Sequence, residues 1–206
     1  MQQENIVSYP SEQLILVDSN DQEVGVMSKA DCHAGTGILH RAFSIFLFNS
    51  EGEMLLQRRS ADKPLWPMYW SNSCCSHPRA GETVEIALQR RLQEELGVQC
   101  PLTFLYKFEY QATYSPDGAE RELCSVYLGS YDGAIHVNET EIAELRYVTP
   151  ENLAHDLEQS PDEYTPWFKM ELARITTEFA DTIPSVADTP RHNSNKVDQR
   201  KTGAQT

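Results

Sequence analysis

The chain has 206 residues, and its 17 Lys and Arg residues against 31 Asp and Glu residues give a net charge of −14. This acidity excludes long-range attraction to nucleic acid or to an anionic membrane, so any anionic ligand must be held by local basic groups. A hydrophobic fraction of 40% with 9% aromatic residues is typical of a globular protein. The length predicts one domain, with or without a tail.

Two features favour a cytoplasmic protein. The longest apolar run, residues 43–48, is too short to span a bilayer, and no basic residue precedes an apolar segment at the N-terminus, so no secretory signal is predicted. The five cysteines are odd in number and Cys74 adjoins Cys75, which makes a poor disulfide framework. We expect reduced thiols, a monomer or weak dimer, and no membrane or nucleic-acid partner.

The first third of the chain reads as two β-hairpins. Apolar and β-branched runs predict strands at residues 14–17, 24–26, 42–48 and 54–58, separated by polar turns. Residues 62–81 contain three prolines and are predicted to form a long ordered loop. A loop of that length within a compact domain is more often functional than idle.

The clearest helix is predicted to begin just after Gly81. Apolar residues recur every four positions, at Val84, Leu88, Leu92 and Leu96. Gly97 follows the last leucine as the expected C-terminal cap. The pattern therefore predicts a helix with one buried face.

The opposite face of this helix carries Arg90 with Glu94 and Arg91 with Glu95, both at i,i+4 spacing. The simpler interpretation is a solvated face whose ion pairs contribute a few tenths of a kcal/mol each. The alternative is a functional site, and the helix pattern alone leaves both open.

The second half continues the mixed pattern. Strands are predicted at 102–113, 122–131 and 144–148, with a turn at 115–118, and helices at 150–157 and 164–179. Residues 184–206 lack aromatic residues and are predicted to be a disordered tail. Strands around a helix, followed by further helices, predict a layered α+β or α/β domain over residues 1–183.

Three histidines and two glutamates are candidates for a metal site: His33, His40, His77, Glu120 and Glu122. A lone histidine is more often an ordinary polar residue than a ligand. Glu120 and Glu122 alternate along a strand, so both carboxylates point to one face and repel unless a positive group lies between them. This nitrogen and oxygen set suits Mg²⁺, Mn²⁺ or Zn²⁺.

The Cys75-Ser76-His77 segment has two readings. A structural zinc knuckle needs two spaced Cys or His pairs, and no second pair occurs, which disfavours it. A catalytic thiol is the sharper hypothesis, with Trp66 and Trp70 lining an apolar pocket beside it. Both tryptophans are equally compatible with a plain core.

Basic residues are scarce, so their positions are informative. Arg58, Arg59 and Lys63 cluster after the second hairpin, and Lys29 and Arg79 lie near the histidine and cysteine segments. In so acidic a chain they are natural candidates for binding phosphate oxygens. Exposed solubilising charge is the alternative for most of them.

The segment from residue 77 to 98 resembles a degenerate Nudix signature. The family pattern is followed by Glu82, seven intervening residues, and then Arg90-Arg91-Leu-Gln-Glu-Glu-Leu-Gly-Val. Ser76 stands for the first glycine, and Arg91 stands for a glutamate that helps Nudix hydrolases hold their metal. The second departure counts against hydrolysis.

Together with these departures, three further features closely resemble type I isopentenyl-diphosphate isomerases. They are Asn72-Ser73 ahead of Cys75 and His77, the two earlier histidines, and Glu120-x-Glu122-x-Cys124. The resemblance runs from about Leu14 to Trp167. It implies a Nudix-like mixed sheet sandwiched by helices. It also implies reversible isomerisation of isopentenyl diphosphate and dimethylallyl diphosphate.

The resemblance further implies roles for individual residues. One divalent metal, Mn²⁺, Zn²⁺ or Mg²⁺, would bind His33, His40, His77, Glu120 and Glu122. Glu95 would help hold a second ion, Mg²⁺, with the substrate diphosphate. Cys75 and Glu122 would face each other across the hydrocarbon, assisted by Tyr110 and shielded by Trp167. The diphosphate would be surrounded by Lys29, Arg59, Lys63 and Arg91.

Two alternatives remain open from the sequence. A Nudix hydrolase of a diphosphate would share the fold but need no thiol. A non-catalytic Nudix-like binding module would use the His and Glu set only as a structural metal site.

Overall fold

The computed structural model describes residues 6–183, and the predicted tail over 184–206 lies outside them. The strands are β1 (Gln13–Val17), β2 (Glu23–Ser28), β3 (His40–Phe48), β4 (Met54–Arg59), β5 (Trp70–Ser71), β6 (Cys74–Ser76), β7 (Leu102–Ser115), β8 (Gly118–Ser130) and β9 (Ile142–Val148). The helices are α1 (Lys29–His33), α2 (Val84–Leu96), α3 (Pro150–Gln159) and α4 (Pro166–Glu178), with a 3₁₀ turn at Pro161–Glu163. None of the helices within residues 6–183 has both the length and the apolar character needed to cross a bilayer.

Strand β3 organises the sheet. It pairs in parallel with β8 along its whole length, and along its other edge it pairs antiparallel with β1 and β6. Its far end meets β4, which in turn pairs antiparallel with β9. β7 and β8 form a long hairpin. The parallel register sets His40 directly beside Glu122.

Alternate residues of β3 are buried against opposite layers. Phe43, Ile45 and Leu47 pack with the leucines of α2, whereas Phe46 and Phe48 join a second core with α3 and α4. A strand buried on both faces is expected to be almost continuously apolar. The predicted fold class, a mixed sheet between helical layers, is confirmed.

Helix α2 begins and ends where predicted. The Thr83 side chain accepts a hydrogen bond from the Ile86 amide, and Gly97 adopts a left-handed φ of 66° as the C-terminal cap. The solvated-face interpretation is wrong for Arg91 and Glu95, because each is only 2% exposed. This ion pair lies inside the protein.

The segment 62–81 is ordered, as predicted, but contains regular secondary structure that was not predicted. It contains β5 and β6, whose two and three residues are too short to produce a periodic pattern. β8 also begins at Gly118 rather than at residue 122, so Glu120 lies within the strand. The short helix α1 was not predicted; Ser28 caps it by accepting from the Asp31 amide.

Glu171 is an unexpected buried carboxyl in α4. It is fully buried and accepts a hydrogen bond from the Cys124 thiol at 3.5 Å, with Ser44 also in contact. Burial raises the pKa of Glu171 from 4.5 to about 8, although both hydrogen bonds act to lower it. At a pH between these two pKa values, Glu171 is protonated in the folded protein and ionised in the unfolded chain.

Replacing Glu171 with glutamine should make stability less sensitive to pH. Because the folded state binds the extra proton, the free energy of unfolding falls as pH rises from about 4.5 towards 8, by up to about 1.4 kcal/mol per pH unit. Urea titrations at several pH values should show a flatter profile for Glu171→Gln. Glu178→Gln, at an exposed position of the same helix, serves as the control. An unchanged profile for Glu171→Gln would contradict the assignment.

Candidate active site

Four structural elements bring the five predicted metal-binding side chains together. His33 ends α1, His40 begins β3, His77 follows β6, and Glu120 and Glu122 alternate along β8. One ligand atom from each residue lies within 4.8 Å of the others. The three imidazole centroids are separated by 4.8 to 5.2 Å. The prediction that these residues converge is confirmed.

Backbone carbonyls orient two of the imidazoles. His33 Nδ1 lies 2.6 Å from the Lys29 oxygen, and His40 Nδ1 lies 2.7 Å from the Ile38 oxygen. A protonated Nδ1 donating to a carbonyl leaves Nε2 as a lone-pair donor, which is the usual arrangement of metal-binding histidines. Among residues 6–183, buried His40 Nε2 has no hydrogen-bond partner. This unpartnered nitrogen, within 4.8 Å of a ligand atom of each of the other four residues, fits a divalent cation.

The two carboxylates occupy different electrostatic environments. Burial and the neighbouring Glu120 raise the pKa of Glu122 well above its usual value. Burial also acts to raise the pKa of Glu120, but His33, 2.8 Å away, lowers it to about 2. A bound cation would add positive charge at both carboxylates and favour their ionised forms.

Glu122 also connects the cluster to a phenol. One oxygen lies 2.9 Å from His77 Nε2, and the other accepts a hydrogen bond from the Tyr110 hydroxyl at 2.7 Å. Burial and Glu122 raise the pKa of Tyr110 well above its usual value, so the phenol remains a donor. Tyr110 and Glu122 form one hydrogen-bonded unit.

A cavity of about 810 Å³ lies beside this unit. It is lined by all eight catalytic and substrate-binding residues suggested by the family resemblance: Cys75, Glu122, Tyr110, Lys29, Arg59, Lys63, Arg91 and Trp167. Of the suggested metal-binding residues, Glu122, His33, His77 and Glu120 line it, whereas His40 and Glu95 are not among the lining residues. A concave, partly apolar space with convergent polar groups is the usual form of a small-molecule site.

Cys75 and Cys74 face opposite layers of the sheet. Cys75 packs against the core that contains Trp167 and lines the cavity, whereas fully buried Cys74 packs in the α2 core. Burial raises the pKa of Cys75 to about 12, although Arg59, whose Nη1 lies 3.9 Å from the sulfur, acts to lower it. The sulfur is therefore held as a thiol.

Aromatic side chains form an apolar wall of the cavity. The Trp167 ring meets Trp66 edge to face at 5.2 Å, and its indole N–H donates to Ser71 Oγ at 3.0 Å. Trp66 adopts a left-handed φ of 46°, and its carbonyl accepts from Arg59 Nε at 3.1 Å. Strained backbone of this kind persists where surrounding contacts fix it, often at functional sites. The hypothesis that Trp66 and Trp70 line the pocket is wrong, because neither is among the lining residues. Trp66 packs against Trp167, and Trp70 lies in the core beneath Arg146.

Lys29, Lys63 and Arg91, three of the predicted phosphate-binding residues, line the cavity and repel one another. Burial, with repulsion from Lys63 and Arg91, lowers the pKa of Lys29 to about 8, and its ammonium donates to Ser8. Arg58 and Arg79 have other partners, Glu144 and Glu12 respectively.

Glu95 lies outside the five-residue cluster. It is 2% exposed, and its carboxylate is 2.6 Å from Arg91 Nη2. Glu141 was missed by the sequence analysis, although it lines the cavity and contacts Lys63 and Arg91. It precedes β9 as one of many acidic residues, so no local signal distinguished it.

Comparisons with known proteins agree with this geometry. A model of the Nudix domain matches residues 38–168. An isopentenyl-diphosphate Delta-isomerase from Photorhabdus laumondii is 40% identical over 84% of this chain and 99% of its own length. The chain belongs to the Nudix domain family and, within it, to the isopentenyl-diphosphate isomerases. A relative of the same name from Nocardia farcinica is 43% identical over 74% of this chain and 87% of its own.

Solved structures show the same fold. The protein DR0079 from Deinococcus radiodurans superposes with a TM-score of 0.59 at 27% identity, covering 72% of this chain and 90% of its own. A MutT Nudix hydrolase from Burkholderia pseudomallei gives 0.53 at 21% identity, over 66% and 98% of the two chains. The second likeness concerns the fold alone.

Replacing His40 with alanine should weaken metal binding. Because four candidate ligands remain, the protein should still bind Mn²⁺, but with affinity reduced by at least about 100-fold, measured by calorimetry and elemental analysis. His155→Ala, at an exposed position of α3, should bind as the unmodified protein does. Unchanged Mn²⁺ affinity in His40→Ala would remove His40 from the ligand set.

Proposed function

We propose that this protein catalyses the reversible 1,3-allylic rearrangement of isopentenyl diphosphate to dimethylallyl diphosphate. The observation that carries this proposal is that the thiol of Cys75 lines the same cavity as the Tyr110–Glu122 unit and the basic residues. The isomerases among the curated relatives support the same reaction. The substrate is accordingly a small diphosphate.

The reaction needs a proton donor and a proton acceptor at once. Protonation of the terminal alkene carbon gives a tertiary carbocation, and loss of a proton from the neighbouring methylene restores a double bond one position along. Cys75 and Glu122 fill these two roles, and exchange them in the reverse reaction. Tyr110 donates a hydrogen bond to Glu122, which favours the ionised carboxylate.

The carbocation has no attached oxygen to stabilise it. The π-face of Trp167 attracts such a cation, with about 2 kcal/mol available when water is excluded. Trp66 and Tyr110 pack around that ring and keep the hydrocarbon end dry. Dryness matters because water would trap the cation as an alcohol.

The histidine and glutamate cluster would hold a divalent cation, Mn²⁺, Zn²⁺ or Mg²⁺, and Glu95 would contribute to Mg²⁺ bound with the diphosphate. When bound, the first ion would fix the orientation of Glu122 and lower its pKa, and the second would neutralise phosphate charge. Lys29, Arg59, Lys63 and Arg91 anchor the diphosphate, so that the five-carbon end is positioned between the reacting groups.

The deciding experiment is an assay of the purified protein with isopentenyl diphosphate, Mg²⁺ and a thiol reductant. We expect dimethylallyl diphosphate as product and, in D₂O, deuterium in the recovered substrate. Phosphate release without allylic product would instead identify a hydrolase. Bound metal without any turnover would identify a non-catalytic binding module.

Replacing Cys75 with serine should reduce kcat by about 10² to 10⁴-fold, the usual contribution of a general acid or base, because a hydroxyl is a much weaker acid than a thiol. Near-normal turnover would remove Cys75 from the mechanism. Cys74→Ala is the matched control on the opposite face of the same strand, and it should retain turnover.

A further inference from the structure

Glu141 is a buried carboxylate at the cavity wall with two cationic partners. It forms an ion pair with the Lys63 ammonium, and its other contact is Arg91 Nη2 at 3.1 Å. Its side chain is only 3% exposed, yet it lines the cavity. Burial acts to raise the pKa of Glu141, but Lys63 and Arg91 outweigh it and hold that pKa below its usual value.

Arg91 is surrounded by acceptors. Its Nε contacts Glu95, its Nη1 donates to the Val7 carbonyl and to Glu94, and its Nη2 contacts Glu95 and Glu141. An arginine with all its donors engaged has a fixed guanidinium plane, and it acts on a nearby anion through its charge and not through a free N–H group. The Glu141 carboxylate contacts the Nη2 end, where Lys63 also converges.

Lys63 depends on Glu141 more than Arg91 does. Its side chain is 17% exposed and has four rotatable bonds, so fixing it costs conformational entropy. The Glu141 carboxylate is the acceptor that holds the ammonium at the cavity wall. A preoriented donor binds an anion more tightly than one that must first be ordered.

We propose that Glu141 is a positioning residue that holds the Lys63 ammonium and the Arg91 guanidinium in place for the substrate diphosphate. This inference rests on the proposed isomerase function. Glu141 acts at the anionic end of the substrate, through two other side chains, and leaves proton transfer at Cys75 and Glu122 unaffected.

The backbone around Glu141 is held independently of its side chain. The Ser60 amide donates to the Glu141 carbonyl at 2.9 Å, and the Lys63 amide donates to the Ser60 carbonyl at 3.2 Å. The turn that carries Lys63 is therefore tied to residue 141 through main-chain bonds. Glutamine at this position keeps those bonds and the side-chain volume, and removes only the charge.

Glu141→Gln should raise KM for isopentenyl diphosphate about tenfold while kcat stays within about twofold, the pattern of lost ground-state binding. Glu141→Asp keeps the charge on a shorter side chain, so its KM should lie between that of the unmodified protein and that of Glu141→Gln. The aspartate variant serves as the test if the glutamine variant does not fold. Glu144 lies on β9 and pairs with Arg58, so Glu144→Gln also removes a paired carboxylate, and its KM should be unchanged. A KM that is unchanged or lower in Glu141→Gln would overturn the inference, as would a fall in kcat alone.

Binding of inorganic pyrophosphate with Mg²⁺, measured by calorimetry, separates this inference from the proposed function. Glu141→Gln should weaken that binding about tenfold. The double variant Glu141→Gln, Lys63→Met should bind pyrophosphate little more weakly than Lys63→Met alone, because the two residues act through one contact. Full additivity, or unchanged pyrophosphate affinity in Glu141→Gln, would overturn the inference. Absence of isomerase turnover in the unmodified protein would overturn the proposed function instead.

Discussion

The parallel pairing of β3 with β8 is the constraint on which the site depends. It places His40 beside Glu122 in the same register that buries Phe43 and Phe46 on opposite faces of the sheet. The apolar residues that stabilise the fold thus fix the position of the metal-binding cluster. A slip of one residue in this register would turn the side chains of β3 to the wrong layers and separate the two groups.

The second constraint is the burial of many charged groups. Arg91, Glu95, Glu120, Glu122 and Glu141 are each at most 7% exposed, in a chain whose net charge is −14. Buried charges are tolerated only when each has a partner of opposite sign or binds a metal. Arg91 is balanced by Glu94, Glu95 and Glu141. Around Glu120 and Glu122 the balance is completed by imidazoles and by the proposed cation. The charges that line the cavity therefore suit a ligand that carries both an anionic group and a divalent metal ion.

The sequence predicted long elements and chemically distinctive clusters well. Leucines every four residues and Gly97 defined α2, and three histidines and two glutamates in family order defined the His and Glu cluster. The short strands β5 and β6 were not predicted, because two or three residues give no periodicity and their stability comes from pairing with β4 and β3. Glu141 and Glu171 were missed for a related reason. Both are single acidic residues in an acidic chain, and only tertiary contacts show that one is a buried ionised group and the other a buried protonated one.

The central claim is that Cys75 and Glu122 approach a five-carbon chain from opposite sides. A crystal structure of the metal-loaded protein with isopentyl diphosphate, a saturated analogue that cannot react, tests this most directly. The account predicts the Cys75 sulfur and a Glu122 oxygen on opposite faces of the hydrocarbon, each about 3–3.5 Å from the carbon it would serve. A hydrocarbon chain bound away from either group, or contacted by both from one side, would contradict it.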